Sequence, residues 1–352
     1  MQKVLRCRAK TMSSIRDVAR ISGVSIATVS QVLNNGGRPV SKLTRQRVLQ
    51  AAQQLNYHPN AMARSLILSR SDTLGMVYLH GHSPIHTSAS FVRMLDGVLT
   101  AGTQLRQNIL MCTSYSWSDG MENQSVLLDR RCDGLILVVP PLDNQAIPTL
   151  KERGVPFVVF CGQVDDPEVS TVDSANVRAS GEMMDALFAL GHRRVAFVHN
   201  SGELNFSYCV ERRAAYCLAY DRWNLHRDPS LEVRFENEES ILALLKRPAP
   251  FRPTAIFGVS DGLAIEVMTV AQRAGFRVPG DLSIVGYDGI DQATMTQPPL
   301  STVHQPFMEI GARCIEILLD QIVNRTPPGQ KELLPARFVA RESIGPPPLS
   351  VS

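Results

Sequence analysis

Three observations predict an all-α helix-turn-helix head followed by an α/β body of two doubly wound parallel-sheet lobes. The first 70 residues hold short helical patterns separated by turn formers, and from Leu74 onward apolar strands alternate with helical segments. Charge divides at the same place: residues 1–70 carry twelve Lys and Arg against Asp17 alone, +11 in a chain whose total is +3, which leaves −8 on the remainder. A near-neutral total thus hides a basic head on an acidic body, the asymmetry of a chain whose one end neutralises phosphates.

In the head, Ser14 is an N-cap with Asp17 three residues on to complete a capping box, and Ile15, Val18 and Ala19 face inward. Gly23 makes the turn, and Ser25 caps a second helix to about Asn34. Val29 with Val32 or Leu33 packs on the first helix, leaving Ile26, Ala27, Thr28, Ser30 and Gln31 pointing elsewhere. After NNGGRP, Ser41 caps a third helix to about Leu55 with Val48, Ala52 and Leu55 inside, and Asn56 suits a left-handed C-terminal position. Pro59 opens AMARSLIL, a helical stretch too short to be stable alone in water.

The body begins with LGMVYL and a helix near 90–106, then NILMCTS with a helix near 120–131, GLILVVP with a helix near 144–153, and PFVVFC. A second series follows: a helix near 176–190, RVAFVHN, a helix near 207–223, LEVRF, a helix near 238–246, TAIFGVS, a helix near 261–275, and SIVGYDG. Continuous apolar strands separated by helices mean parallel sheets covered on both faces, and two such series mean two lobes. Ligands of open parallel sheets bind outside the carboxyl ends of strands, so the facing edges of the lobes predict a cleft.

GxGxxG, GxxxxGK[ST] and HExxH are all missing, so dinucleotide, nucleotide-phosphate and zinc-protease chemistry lack sequence support. The expectation is a non-enzyme without cofactor or metal. Seven cysteines, an odd number without CxxC spacing, read as reduced thiols, and His80, His82 and His86 read as a polar connection rather than a metal site. No apolar run approaches the roughly 20 residues that cross a bilayer, and the basic leader lacks the apolar core of a secretion signal, so a cytoplasmic protein without membrane partner is expected.

At the head, IRDVARISGVSIATVSQVLN, VSKLTRQRVLQAAQQLNYHPN and ARSL resemble the lac repressor and galactose repressor (LacI/GalR) family of bacterial transcription regulators. The resemblance continues through RRCDGLILV, VDSANVRASGEMMDALFALGHRRVAFV, ERRAAY, SDGLAI, VPGDLSIVGYDG and PPLSTVHQP, covering residues 13–341. It implies a flexible leader 1–12, a DNA-binding domain 13–57, a hinge helix and linker 58–72, an effector and dimerisation domain 73–345, and a flexible tail 346–352. The body would be of periplasmic-binding-protein type, with lobe 1 at about 73–172 plus 305–330 and lobe 2 at about 173–304 plus 331–345, joined by three crossovers. Expected partners are a near-palindromic double-stranded operator, a small-molecule effector, and a second copy of the chain in a homodimer or a tetramer.

By the same resemblance, Ile26, Ala27 and Gln31 meet base edges in the major groove. The first two offer apolar contact only, while Gln31 can pair bidentately with adenine N6 and N7. Ser25, Thr28, Asn34 and Arg38 are expected on phosphates, and Leu66 as a minor-groove wedge. In the cleft, Arg212 and Asp288 are implied as donor and acceptor for the effector, with Ser260 and Phe91 beside them and Phe235 as an aromatic nearby. The implied function is a repressor controlled by a sugar, sugar acid or glycoside. A nucleobase- or nucleoside-responsive regulator, an enzyme with a fused DNA-binding head, and an architectural DNA binder are the alternatives.

Overall fold

A computed structural model describes residues 13–33, 39–58, 70–78, 88–112 and 127–348. The chain divides into two compact units, Met1–Ser71 and Asp72–Ser352. In the first, helices α1 (Ile15–Ser22), α2 (Ile26–Leu33) and α3 (Lys42–Gln54) follow the expected order. The α1 capping box is present: Ser14 Oγ accepts from the Asp17 amide at 3.4 Å while Asp17 Oδ2 accepts from the Ser14 amide at 3.0 Å. Gly23 turns the chain at φ +68°, and Asn56 takes the left-handed conformation at φ +46°. Val18, Val29, Val32, Val48, Ala51 and Ala52 close a core between the three helices.

In the second unit the strands are β1 (Thr73–Tyr78), β2 (Asn108–Met111), β3 (Gly134–Val138), β4 (Phe157–Phe160), β5 (Thr171–Ser174) and β6 (Val195–Asn200). They continue with β7 (Glu232–Phe235), β8 (Ala255–Gly258), β9 (Ser283–Asp288), β10 (Ser301–His304), β11 (Lys331–Leu334) and β12 (Arg337–Val339). The helices are α4 (Ala89–Gln104), α5 (Ala146–Glu152), α6 (Asn176–Ala189), α7 (Ser207–Arg222), α8 (Glu238–Leu245), α9 (Asp261–Arg273), α10 (Gln292–Met295) and α11 (Phe307–Leu319). Two six-stranded sheets result, ordered β11-β5-β4-β3-β1-β2 and β12-β10-β9-β8-β6-β7. Among the described residues, every pairing is parallel except β10 with β12.

The strands between sheet neighbours are apolar on both faces, as β3 and β4 show with every residue buried, because helices cover both sides. On the first lobe α4 and α11 meet backbone to backbone. A Cβ at Gly97 would lie 2.7 Å from the Phe307 carbonyl oxygen, and one at Gly311 would lie 2.8 Å from the Gly97 carbonyl carbon. Only glycine permits that approach.

The lobe limits differ from expectation at two places. Lys331–Leu334 pairs parallel with Thr171–Ser174, so both segments belong to the first sheet, and the chain changes lobes after Ser174 and after Leu334 rather than at 172/173 and 330/331. The remaining crossover, second in chain order, lies between His304 and Phe307, where the chain passes from β10 to the helix covering the first sheet. All three crossovers are therefore only a few residues long. The helix expected near 120–131 is not formed over 127–131; its earlier part lies outside the described residues.

Candidate functional site

Arg212 projects from α7 between the two lobes and is 3% exposed. Its Nε donates to Asn176 Oδ1 at 3.1 Å and its Nη1 to the Val259 carbonyl at 2.6 Å, while Nη2 lies 3.6 Å from Asp288 Oδ1. The guanidinium carbon sits 3.6 Å from the Tyr287 ring centre and 4.9 Å from that of Tyr208, so aromatic faces complete its surroundings. A buried cation with this many fixed partners has one orientation available, which is the condition for presenting a planar set of donors.

Asp288 ends β9 with φ +127°, a conformation side-chain-bearing residues rarely adopt. It is held there from three sides. Gln305 donates from Nε2 to Asp288 Oδ1 at 2.7 Å and from its amide to the Asp288 carbonyl at 3.2 Å, and the buried Asp261 Oδ2 accepts from the Gly289 and Ile290 amides at 2.8 and 2.9 Å. Burial pushes the Asp288 carboxyl up to about 7, although Arg212 beside it pulls the other way.

Around this pair the lobes enclose a cleft of about 400 Å³ whose lining includes Tyr78, Phe91, Asp173, Asn200, Glu203, Phe206 and Tyr208. Ser174 Oγ donates to Gln305 Oε1 at 2.7 Å, tying the first crossover to the second directly below the cleft. Elsewhere between the lobes, Arg93 of the first pairs with Asp291 of the second. The Asn205 side chain donates to Asp143 at 2.7 Å, and the Ser207 hydroxyl accepts from the Gln163 amide at 2.9 Å. These contacts connect the two lobes.

Of the four residues expected here, Arg212, Asp288, Ser260 and Phe91 all line the cleft. Their situations differ. Ser260 is the N-cap of α9, its hydroxyl accepting from the Leu263 amide at 3.4 Å, and Phe91 is 1% exposed, stacked on Tyr78 with ring centres 3.7 Å apart, so it serves as a wall. Phe235 is absent from the cleft lining and packs in the core of the second lobe. Sequence reasoning missed Tyr78, Asp173, Asn200 and Gln305. Each lies at or within a residue of a first-series or second-series strand end, the signal that the position of ligands on parallel sheets supplies.

In the head, Ser25 Oγ accepts from the Thr28 amide at 3.1 Å and lies 2.9 Å from Thr28 Oγ1, so the pair caps the N-terminus of α2. Ile26 and Ala27 on its first turn are exposed, and Gln31 and Thr28 are half-buried. Asn34, Arg38 and Leu66, together with His80, His82 and His86, lie outside the described residues.

A capped helix with an apolar exposed first turn, joined in one chain to a two-lobed receptor with a buried donor and acceptor, defines a ligand-controlled DNA-binding regulator. Residues 14–60 match the model for bacterial regulatory proteins of the lacI family, and residues 184–344 match that for a periplasmic binding protein-like domain. A relative from Aliivibrio salmonicida (strain LFI1238), the HTH-type transcriptional repressor PurR, is 31% identical over 319 residues, covering 89% of this chain and 93% of the relative. PurR of Vibrio cholerae serotype O1 (strain M66-2) is 33% identical over 322 residues with the same coverage. Among solved structures, the lac repressor dimer bound to operator and the anti-inducer ONPF is 25% identical with a TM-score of 0.78, covering 94% of this chain and 98% of that one. The complex of the transcriptional regulator CelR with cellobiose is 27% identical with a TM-score of 0.71, covering 94% and 99%. The chain belongs to the LacI family of bacterial regulatory proteins.

Proposed function

We propose that this protein is a cytoplasmic repressor that binds a near-palindromic operator as a homodimer and is controlled by a neutral, polyhydroxylated ring, a sugar or glycoside, seated between Arg212 and Asp288. The observation that carries this reading is the buried pair itself. A guanidinium and a carboxylate 3.6 Å apart, arriving from α7 and the end of β9, suit a ligand that both donates and accepts on adjacent atoms. Among the described lining residues, Asp173, Glu203 and Asp288 face the one cation Arg212, a balance that disfavours a sugar acid.

A nucleobase or nucleoside is the second reading, favoured by the aromatic residues Phe206 and Tyr208 beside the pair and by the PurR relatives. A thermal-shift panel of neutral glycosides, sugar acids and nucleobases separates them: stabilisation by a neutral glycoside alone supports the first reading, stabilisation by nucleobases alone replaces it with the second. The same ligands are then added to operator-binding assays, where 1–3 kcal/mol of coupling alters operator affinity by roughly 5- to 150-fold.

On the DNA side, Ile26 and Ala27 are assigned to thymine methyls, Gln31 to an adenine, and Ser25 and Thr28 to phosphates. Gln31→Arg is expected to move the preference at the facing base from adenine to guanine by about 1–3 kcal/mol. Operator selection from random duplexes reads this directly, and an unchanged preferred sequence would remove Gln31 from base readout.

A further inference from the structure

Away from the cleft, the first lobe brings two thiols to one point. Cys112 directly follows β2 and its amide donates to the Met76 carbonyl of β1, while Cys132 lies two residues before β3 on the other side of β1. Both side chains lean over Gly75 in the middle of that strand: a Cβ there would lie 3.0 Å from Cys132 Sγ and 3.2 Å from Cys112 Sγ. The same Cβ would lie 2.6 Å from Leu135 Cδ2, so glycine at 75 is what leaves room for the pair.

The thiols line a second pocket, of about 220 Å³, together with Arg130, Arg131 and Arg153 and the carboxylates of Asp129 and Asp133. Cys112 is buried, whereas Cys132 is half-buried and open to that pocket. Each thiol is the strongest influence on the ionisation of the other. Hydrogen bonding with Cys132 lowers Cys112 below the usual thiol value, with Arg131 assisting, and the same contact raises Cys132. That asymmetry separates an attacking sulfur from a resolving one.

We propose that Cys112 and Cys132 form a reversible disulfide, making this corner of the first lobe a site of oxidation by hydroperoxides. The Cys112 thiolate attacks one peroxide oxygen and the O–O bond breaks; with hydrogen peroxide, the departing hydroxide takes a proton and leaves as water, and Cys112 becomes a sulfenic acid. Cys132 then gives up its proton and its sulfur attacks the Cys112 sulfur. The S–S bond forms, the S–O bond breaks, and hydroxide leaves as a second water. Two thiols are oxidised by two electrons and the peroxide is reduced by the same two.

The test uses the full chain, reduced, exposed to hydrogen peroxide, then alkylated and digested with trypsin without reductant. The sequence places Cys112 in the tryptic peptide 107–130 and Cys132 in 132–151. The expected product is these two peptides joined, two hydrogens lighter than the separate pair, lost on treatment with dithiothreitol and absent from Cys112→Ser. The half-buried Cys217 supplies an internal reference. Unlinked and fully alkylated Cys112 and Cys132 in a sample whose Cys217 is oxidised would overturn the proposal. So would separate sulfinic acids, or a link that forms only between copies of the chain. The wild-type digest decides without reliance on the folding of any variant.

Discussion

Arg212→Ala is expected to destabilise the protein by about 3–5 kcal/mol, the cost of removing one partner of a buried ion pair, and to abolish effector-induced stabilisation. The loss goes beyond the Asp288 contact. Without the guanidinium, Asn176 Oδ1 and the Val259 carbonyl each lose a buried donor, and the ring faces of Tyr287 and Tyr208 border a void. Arg212→Lys keeps the charge but not the planar fork that reaches Asn176, Val259 and Asp288 together, so an intermediate loss of stability is expected with the effector response still absent. Urea unfolding followed by a thermal-shift titration of the effector measures both. An Arg212→Ala protein within 1 kcal/mol of wild type that still responded to ligand would remove Arg212 from the site.

What the sequence discloses follows the range of the interactions involved. The caps at Ser14 and Ser41 and the left-handed turn at Asn56 are legible because each is satisfied within a few residues of chain. The two strand-helix series are legible because burial on both faces leaves unbroken apolar runs such as Gly134–Val138. TVDS at 171–174 is not, since its polar residues are buried by partners that sequence proximity does not reveal: Thr171 and Ser174 lie beside Lys331 and Leu334. The last crossover is displaced for the same reason, because Lys331–Leu334 alternates between exposed and half-buried and carries no strong strand signal.

Site legibility divides similarly. Arg212 and Asp288 are visible as polar residues in the family-like stretches ERRAAY and SIVGYDG, but the means of holding Asp288 in its unusual backbone conformation is not. Gln305 reaches it from the second crossover and Asp261 braces the two amides after it from the start of α9. By the family resemblance Phe235 is expected beside the effector, because relatives stack an aromatic on a sugar ring near this position. It lies instead in the hydrophobic core of the second lobe, at the end of β7, the outer strand of its sheet.

Asp173 is expected to make the protein's stability and its ligand response depend on pH. The residue is 1% exposed, and its Oδ1 accepts from the Ser174 amide at 2.6 Å while its Oδ2 has no hydrogen-bond partner. Burial, with Glu211 nearby, pushes its carboxyl up to about 7 against the opposing pull of the Ser174 amide and Arg212. A folded-state value above the unfolded one means that the folded protein holds a proton the unfolded chain has released. Stability from this group is therefore full below pH 4 and lost progressively as pH rises through 7, at about 1.4 kcal/mol per pH unit within that window. Asp288 titrates in the same window, so Asp173→Asn is expected to remove only Asp173's share of the fall in unfolding free energy between pH 5 and 7 and to raise Tm at pH 8. An effector hydroxyl donating to Oδ2 favours the ionised carboxylate, so ligand-induced stabilisation in the wild type should grow from pH 6 to pH 8, and that growth should shrink in Asp173→Asn. Unfolding and ligand titrations at matched ionic strength across pH 5–8 measure both effects, and an unaltered slope in the variant would show that Asp173 is ionised throughout.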